Sequence, residues 1–364
     1  MTRLLASALA CLILTAACGS APPPSVIPGG SATPGPGSLV GISMPTKSSG
    51  RWESDAQIIV GSLAGLGRRT DLGFAQDDIP IQVAQIDRMV TREAKVLIVA
   101  AIDAQTLTDI LHKAGDAGVT ILAYQTFVEG SPDVDYYVAF DNFKVGVLQA
   151  RSIETGLALK SGDGPFNVEL FAGSPDDLDA ELRFKGAMSI LQPYLDSGKL
   201  VVKSGQTKFA QVGTLHSDAA TAKDRMDAIL HSDFTSERID AVLSPTDAIS
   251  QGLIASLKSD GYYTAAKPGP IVTGHGADMA SIKSILAGEQ TASVFEDSRL
   301  LAAQAATMAD QILAGATVDT NDAETYDIGG RTVPSFLLEP VSLDRSNVQK
   351  QLVDTGYYKP SDLR

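Results

Sequence analysis

From Leu39 onward, short unbroken apolar runs alternate with helical repeats, and that order restricts the chain more than any other feature. Leu39 to Met44, Leu72 to Ala75, Val96 to Ala100 and Val119 to Tyr124 read as strands. Between them, apolar residues recur at helical spacing from Trp52 to Leu66, from Ile79 to Glu93 and from Ala104 to Ala117, with Asp103 placed to cap the last. The pattern then restarts, with strands at Phe166 to Phe171, Leu200 to Val202, Ala241 to Leu243 and Ile271-Val272. Helices fall at Asp179 to Leu191, Ala219 to Leu230, Ala248 to Lys258 and Met279 to Leu286. Strands without polar alternation are buried on both faces, which calls for parallel sheets covered by helices. The expected fold is α/β, with two doubly wound parallel-sheet lobes and a cleft between them.

Ligands of such sheets sit outside the carboxyl ends of the strands, so chemistry is sought in the loops that follow them. Those loops hold Arg51 and Trp52 after the first strand and Gln125-Thr126 after the fourth. The second half adds the segment from Gly173 to Arg183, then Asp247, His275 and Glu296. Carboxylates, amides, guanidinium groups and one indole suit hydroxyls, because charged acceptors and planar donors bond them directionally and a flat ring covers an apolar sugar face. Asp179 and Arg183, at i and i+4, share one helix face, as ligand contacts or as a plain intrahelical ion pair. Asp247 reads as a cleft carboxylate, or as a helix cap alone. His216 and His275 read as ligand contacts or as ordinary loop histidines.

Before this body lie two further segments. Arg3, the apolar run Leu4 to Leu14 and Thr15-Ala16-Ala17-Cys18 read as a signal peptide over residues 1–17, too short to span a bilayer. Its end resembles a bacterial lipobox, which would make Cys18 the lipidated first residue. Two acyl chains there would give a stable membrane anchor. Residues 18–38 carry a Pro/Gly/Ser-rich stretch that cannot bury a core and reads as a tether. The other cysteine, Cys11, leaves with the signal, so no thiol remains for a disulfide, a metal or a nucleophile. A net charge of −14 argues against nucleic acid as a partner.

The loops in this order resemble the sugar-binding proteins of bacterial ABC importers, in particular the ChvE-like multiple-monosaccharide-binding group with the periplasmic-binding-protein type I fold. VGISMPTKSSGRW, YYVAFDNFKVGVLQA, PFNVELFAGSPDD, AVLSPTDAIS and the C-terminal LVDTGYYKPSDL carry the likeness. It implies lobes of residues 39–141 plus 295–324 and 142–294 plus 325–364, joined by three crossovers near Asp141-Asn142, Ser293-Val294 and Glu324-Thr325. It also implies a monomer that closes on a monosaccharide or polyol and docks on a membrane permease driven by an ATPase, with no cofactor or metal. Trp52 matches the family's stacking aromatic and Arg51 its polar neighbour; Asp179, Arg183 and Asp247 match cleft residues. The chain departs from the family's usual residues at Gln125-Thr126, Leu178-Asp179, His216-Ser217, His275-Gly276 and Glu296, which implies a shifted ligand. A sensing role through the same closed form is the alternative. An enzyme would rest on Asp176, Asp177, Asp179 and Glu181, but these occupy one loop and helix start, where acids favour the helix N-terminus; no catalytic residue is expected.

Overall fold

Because the early strands are apolar at every position, they can pair only where both faces are covered. A computed structural model describes residues 38–363 apart from 49 and 163. The expected signal peptide, Cys18 and all of the tether but Ser38 lie outside the described residues. The first half runs β1 (Leu39–Met44), α1 (Gly50–Gly65), β2 (Arg69–Phe74), α2 (Ile79–Thr91), β3 (Val96–Val99), α3 (Thr108–Asp116), β4 (Thr120–Tyr124) and β5 (Tyr136–Phe140). The second runs α4 (Asn142–Gly156), β6 (Phe166–Leu170), α5 (Leu178–Asp196), β7 (Leu200–Val201), α6 (Phe209–Val212), α7 (Ala219–Asp233), β8 (Ala241–Leu243), α8 (Asp247–Ser259), β9 (Ile271–Val272), α9 (Met279–Ala287) and β10 (Ala292–Phe295). The chain finishes with α10 (Ser298–Ala314), β11 (Ser335–Leu338) and β12 (Val341–Asp344).

The first lobe is a six-stranded parallel sheet in the order β11-β5-β4-β3-β1-β2. Alternate residues of its strands feed two separate cores. Val40, Ile42, Met44, Val96 and Ile98 pack with α1 and α10, whereas Leu39, Leu97 and Val99 pack with α2 and α3. The second lobe is a four-stranded parallel sheet, β7-β6-β8-β9, again with a core on each face. An antiparallel ribbon of β10 and β12 packs with α9 and the C-terminal segment.

Aspartates set where the chain turns from strand into helix. Asp141 caps α4 by accepting from Lys144 N at 2.9 Å, and Asp297 caps α10 by accepting from Arg299 N at 3.1 Å. Asp103 does not cap α3. Its carboxylate accepts from Gln105 N at 2.9 Å in a local turn, Leu107 is buried, and the helix begins only at Thr108.

The chain passes between lobes at Asp141, at Glu296-Asp297 and at Glu339-Pro340. The last two lie later than expected from the sequence. Val294 and Phe295 still pair with β12, so the second passage follows them. Residues 325–338 belong with the first lobe, not the second: Ser335–Leu338 pairs with β5, and Tyr326, Ile328 and Val333 are buried in a first-lobe core.

Candidate ligand site between the lobes

The wall from the first lobe begins where α1 opens directly after the β1 loop. Arg51 Nη2 donates to Gln125 Oε1 at 2.7 Å, and its guanidinium lies 5.1 Å from the Trp52 ring centroid. Its Nε sits 3.6 Å from Asp55 Oδ2, one helical turn on. Asp55 is fully buried and accepts from the Tyr124 hydroxyl at 2.9 Å. Burial pushes its carboxyl above the usual range, with Ser298, Arg51 and Tyr124 pulling the other way. Trp52 is half-buried against the first-lobe core, edge-on to Tyr124 at 6.4 Å. Gln125 adopts a left-handed backbone (φ 63°) held by the Tyr137 hydroxyl, which donates to the Gln125 carbonyl at 2.9 Å.

The opposite wall is the start of α5. Asp177 caps it by accepting from Asp179 N at 2.9 Å, which fixes the first turn. Arg183 donates through Nη1 to Asn142 Oδ1 and through Nη2 to Asp177 Oδ2 at 3.3 Å. No ion pair joins it to Asp179 within 4.0 Å among the described residues, so the plain intrahelical pairing is not what forms. Asp179 Oδ1 is shielded from solvent and lacks a hydrogen-bond partner, as does Arg183 Nε. Burial pushes the Asp179 carboxyl up to about 7, against the pull of the Arg183 charge. A cavity of about 410 Å³ separates the walls, lined by Gln125, Thr126 and Phe127 on one side and Asp177, Asp179 and Arg183 on the other.

His275 and Glu296 meet behind these walls. Their Nε2 and Oε1 atoms lie 3.2 Å apart, off the hydrogen-bond line, so His275 Nε2 is another shielded atom without a hydrogen-bond partner. Burial opposes ionisation of Glu296, but His275, Arg51 and Arg183 together outweigh it and hold the carboxyl below its usual range. Asp247 has a different place. Both its oxygens accept from Ser293 Oγ at 2.9 Å, Oδ1 also from Gln290 Nε2 at 2.9 Å and Oδ2 also from Asp278 N at 3.1 Å. Its acceptor capacity is filled by protein, and it braces the turn that carries His275. His216 is exposed, and its backbone N–H donates to Ser174 Oγ at 2.9 Å.

Arg51, Gln125, Asp179, Arg183, His275 and Glu296 are thus brought together; Gln125, Asp179 and Arg183 line the cavity, while Arg51, Trp52, His275 and Glu296 lie outside its lining and Asp247 is buried. Sequence reading missed Asn142, Asp177, Tyr137 and Tyr326 as partners of this set. Asp177 carried a signal, an aspartate just before a helical repeat; Tyr137 and Tyr326 carried none, since only tertiary packing brings them here.

Comparison with known proteins places this geometry in a lineage. A family model described as "Periplasmic binding protein domain" matches residues 40–317. The chain is 52% identical over 325 residues to the multiple sugar-binding periplasmic receptor ChvE of Rhizobium radiobacter, covering 89% of this chain and 92% of that one. It is 54% identical to the multiple sugar-binding periplasmic protein SbpA of Azospirillum brasilense, covering 89% and 91%. Among solved structures, an ABC transporter solute-binding protein of Clostridium phytofermentans with bound β-D-glucose superposes with a TM-score of 0.80 at 39% identity, covering 90% of this chain and all of that one. A two-lobed parallel α/β body matched over most of its length makes this chain a member of the periplasmic binding protein family.

Proposed function

We propose that this chain is an extracytoplasmic lipoprotein of a bacterial ABC importer, held to the membrane through Cys18, that captures a monosaccharide or related polyol between its lobes and delivers it to the permease. The observation that carries the reading is the set of shielded polar atoms lacking hydrogen bonds. Asp179 Oδ1 and Arg183 Nε belong to residues that line the cavity, while Arg51 Nε and His275 Nε2 already face the carboxylates of Asp55 and Glu296. A buried polar atom left unbonded costs about 1–3 kcal/mol, so the two on the cavity-lining residues point to a ligand rich in hydroxyls that completes them. The cavity volume falls in the range of small-molecule sites, about 300–1,000 Å³. Relatives named as sugar-binding receptors support the same ligand class.

Trp52 is the sole indole, with Arg51 over its face, so ligand binding at Arg51 is expected to change its emission. A panel of sugars and polyols screened by thermal shift, followed by fluorescence titration of the hits, tests this. A panel that neither raises the melting temperature nor alters the emission refutes capture.

The Asp179 carboxyl adds a pH dependence. Its folded value of about 7 exceeds the ordinary 3.8, so the folded chain holds this proton more tightly than the unfolded chain between those values. The contribution of this group to stability therefore falls as pH rises through that window. A ligand hydroxyl donated to the ionised carboxylate favours deprotonation. Affinity is expected to rise from about pH 5.5 to 8, with proton release on binding near pH 7. Calorimetry in buffers of different ionisation enthalpy measures the release, and Asp179→Asn should remove it. A wild-type affinity that is flat over this range counts against Asp179 as the acceptor.

A further inference from the structure

We propose that Tyr326 is a positioning residue that ties Asp179 of the second lobe to the aromatic core of the first, so that closing the lobes and orienting this acceptor are one event. The role rests on the capture reading above. Tyr326 lies in the strap between α10 and β11 and is 1% exposed. Its ring centroid sits 4.9 Å from Phe127 and 4.6 Å from Tyr137, and Tyr137 in turn holds the carbonyl of Gln125. The strap is fastened to the first lobe. Val333 N donates to the Tyr326 carbonyl at 2.8 Å, and Arg331 Nη2 donates to the carbonyls of Pro132 at 2.9 Å and Val134 at 2.6 Å.

From the other lobe, Leu178 and Leu182 pack against the same core, on either side of Asp179 in sequence. The Tyr326 hydroxyl emerges from that contact facing Asp179 and Asn142, the residue that also receives Arg183. A phenol is suited to the place because its ring seals the apolar contact while its hydroxyl donates to a carboxylate. Other groups also act on Asp179: Arg183 from α5, Asp177 from its cap, Glu296 from the passage after β10, and Tyr137 from β5, while Asp141 faces Tyr326 itself. Of these, Tyr326 combines a neutral donor with a place in the strap, so removing its hydroxyl leaves the cleft's formal charges unchanged.

The test is Tyr326→Phe, which keeps the ring and deletes the donor. Carboxyl ¹³C NMR of the ligand-free protein, with the Asp179 resonance assigned through Asp179→Asn, should show its titration midpoint rise by about half a pH unit or more. Affinity for the best sugar found in the panel should fall about tenfold, with the melting temperature nearly unchanged. An unchanged midpoint overturns the proposal whether or not a sugar has been found. A shifted midpoint with unchanged affinity overturns the link to capture. A wild-type protein that binds no sugar defeats the capture reading instead, and the midpoint still decides whether Tyr326 positions Asp179.

Discussion

Arg183→Ala is expected to reduce affinity for the captured sugar by a factor of roughly 30 to several thousand, the range found when one partner of a buried, hydrogen-bonded charge set is truncated. Three consequences act together. The guanidinium loses its bonds to Asn142 and Asp177, which hold the α4 and α5 starts in one geometry. Its unbonded Nε, a donor aimed into a shielded site, disappears. Asp179 loses the positive charge that opposes the effect of burial, so its carboxyl shifts further upward and less of the ionised acceptor is present at neutral pH. Arg183→Lys should not restore binding, because a single ammonium cannot reproduce a planar fork that meets two acceptors at once. Calorimetry against the best ligand measures the loss, and circular dichroism checks that the lobes remain folded. An affinity within threefold of wild type would remove Arg183 from the site.

Legibility in the sequence followed burial only in part. β1, β3 and β4 stand out because a central parallel strand covered on both faces must be apolar throughout. β5 and β10 were missed although both are buried almost throughout, and β11 and β12 were missed because each is only four residues long and mostly partly exposed, so neither an unbroken apolar run nor a clean alternation marks them. α10 was missed for the opposite reason. In SRLLAAQAATMADQILA the small and apolar residues fall at most positions, and the helical period is blurred although Leu301, Ala305, Met308 and Leu313 are all buried. The late passages between lobes had no local marker at all. Which lobe owns residues 325–338 is decided by Tyr326 packing on Phe127 and Tyr137, a contact between distant segments.

The same distinction divides the candidate site. Arg51, Gln125, Asp179 and Arg183 were legible because topology alone sends the loops after parallel strands to the cleft. What each side chain does there was not. Asp247 follows its strand as the others do, yet Ser293, Gln290 and Asp278 consume its oxygens. Spacing put Asp179 and Arg183 on one face, but Asn142 and Asp177 take the guanidinium, and Asp179 Oδ1 keeps no hydrogen bond. Spacing gives faces, and only packing gives partners.

Gly146→Ala is expected to destabilise the protein by about 2–3 kcal/mol and to weaken capture although Gly146 touches no ligand. α4 and α5 meet glycine against backbone. A Cβ on Gly146 would lie 1.8 Å from the carbonyl oxygen of Arg183, and one on Gly186 would lie 1.9 Å from that of Phe143. A methyl group has no rotamer by which to escape, and a backbone oxygen cannot turn aside, so the helices must separate. Replacing a helical glycine with alanine returns about 0.5–1 kcal/mol through lost chain entropy, too little to offset an overlap of this depth. The melting temperature should fall by roughly 3–5 °C. Because the clash is with Arg183 itself, the separation displaces the guanidinium from Asn142, and affinity should fall even in molecules that remain folded. Gly61→Ala in α1 is the control: it meets nothing within 4 Å and should be neutral or slightly stabilising. If both variants melt alike and bind alike, the close approach of α4 and α5 does not set the position of Arg183.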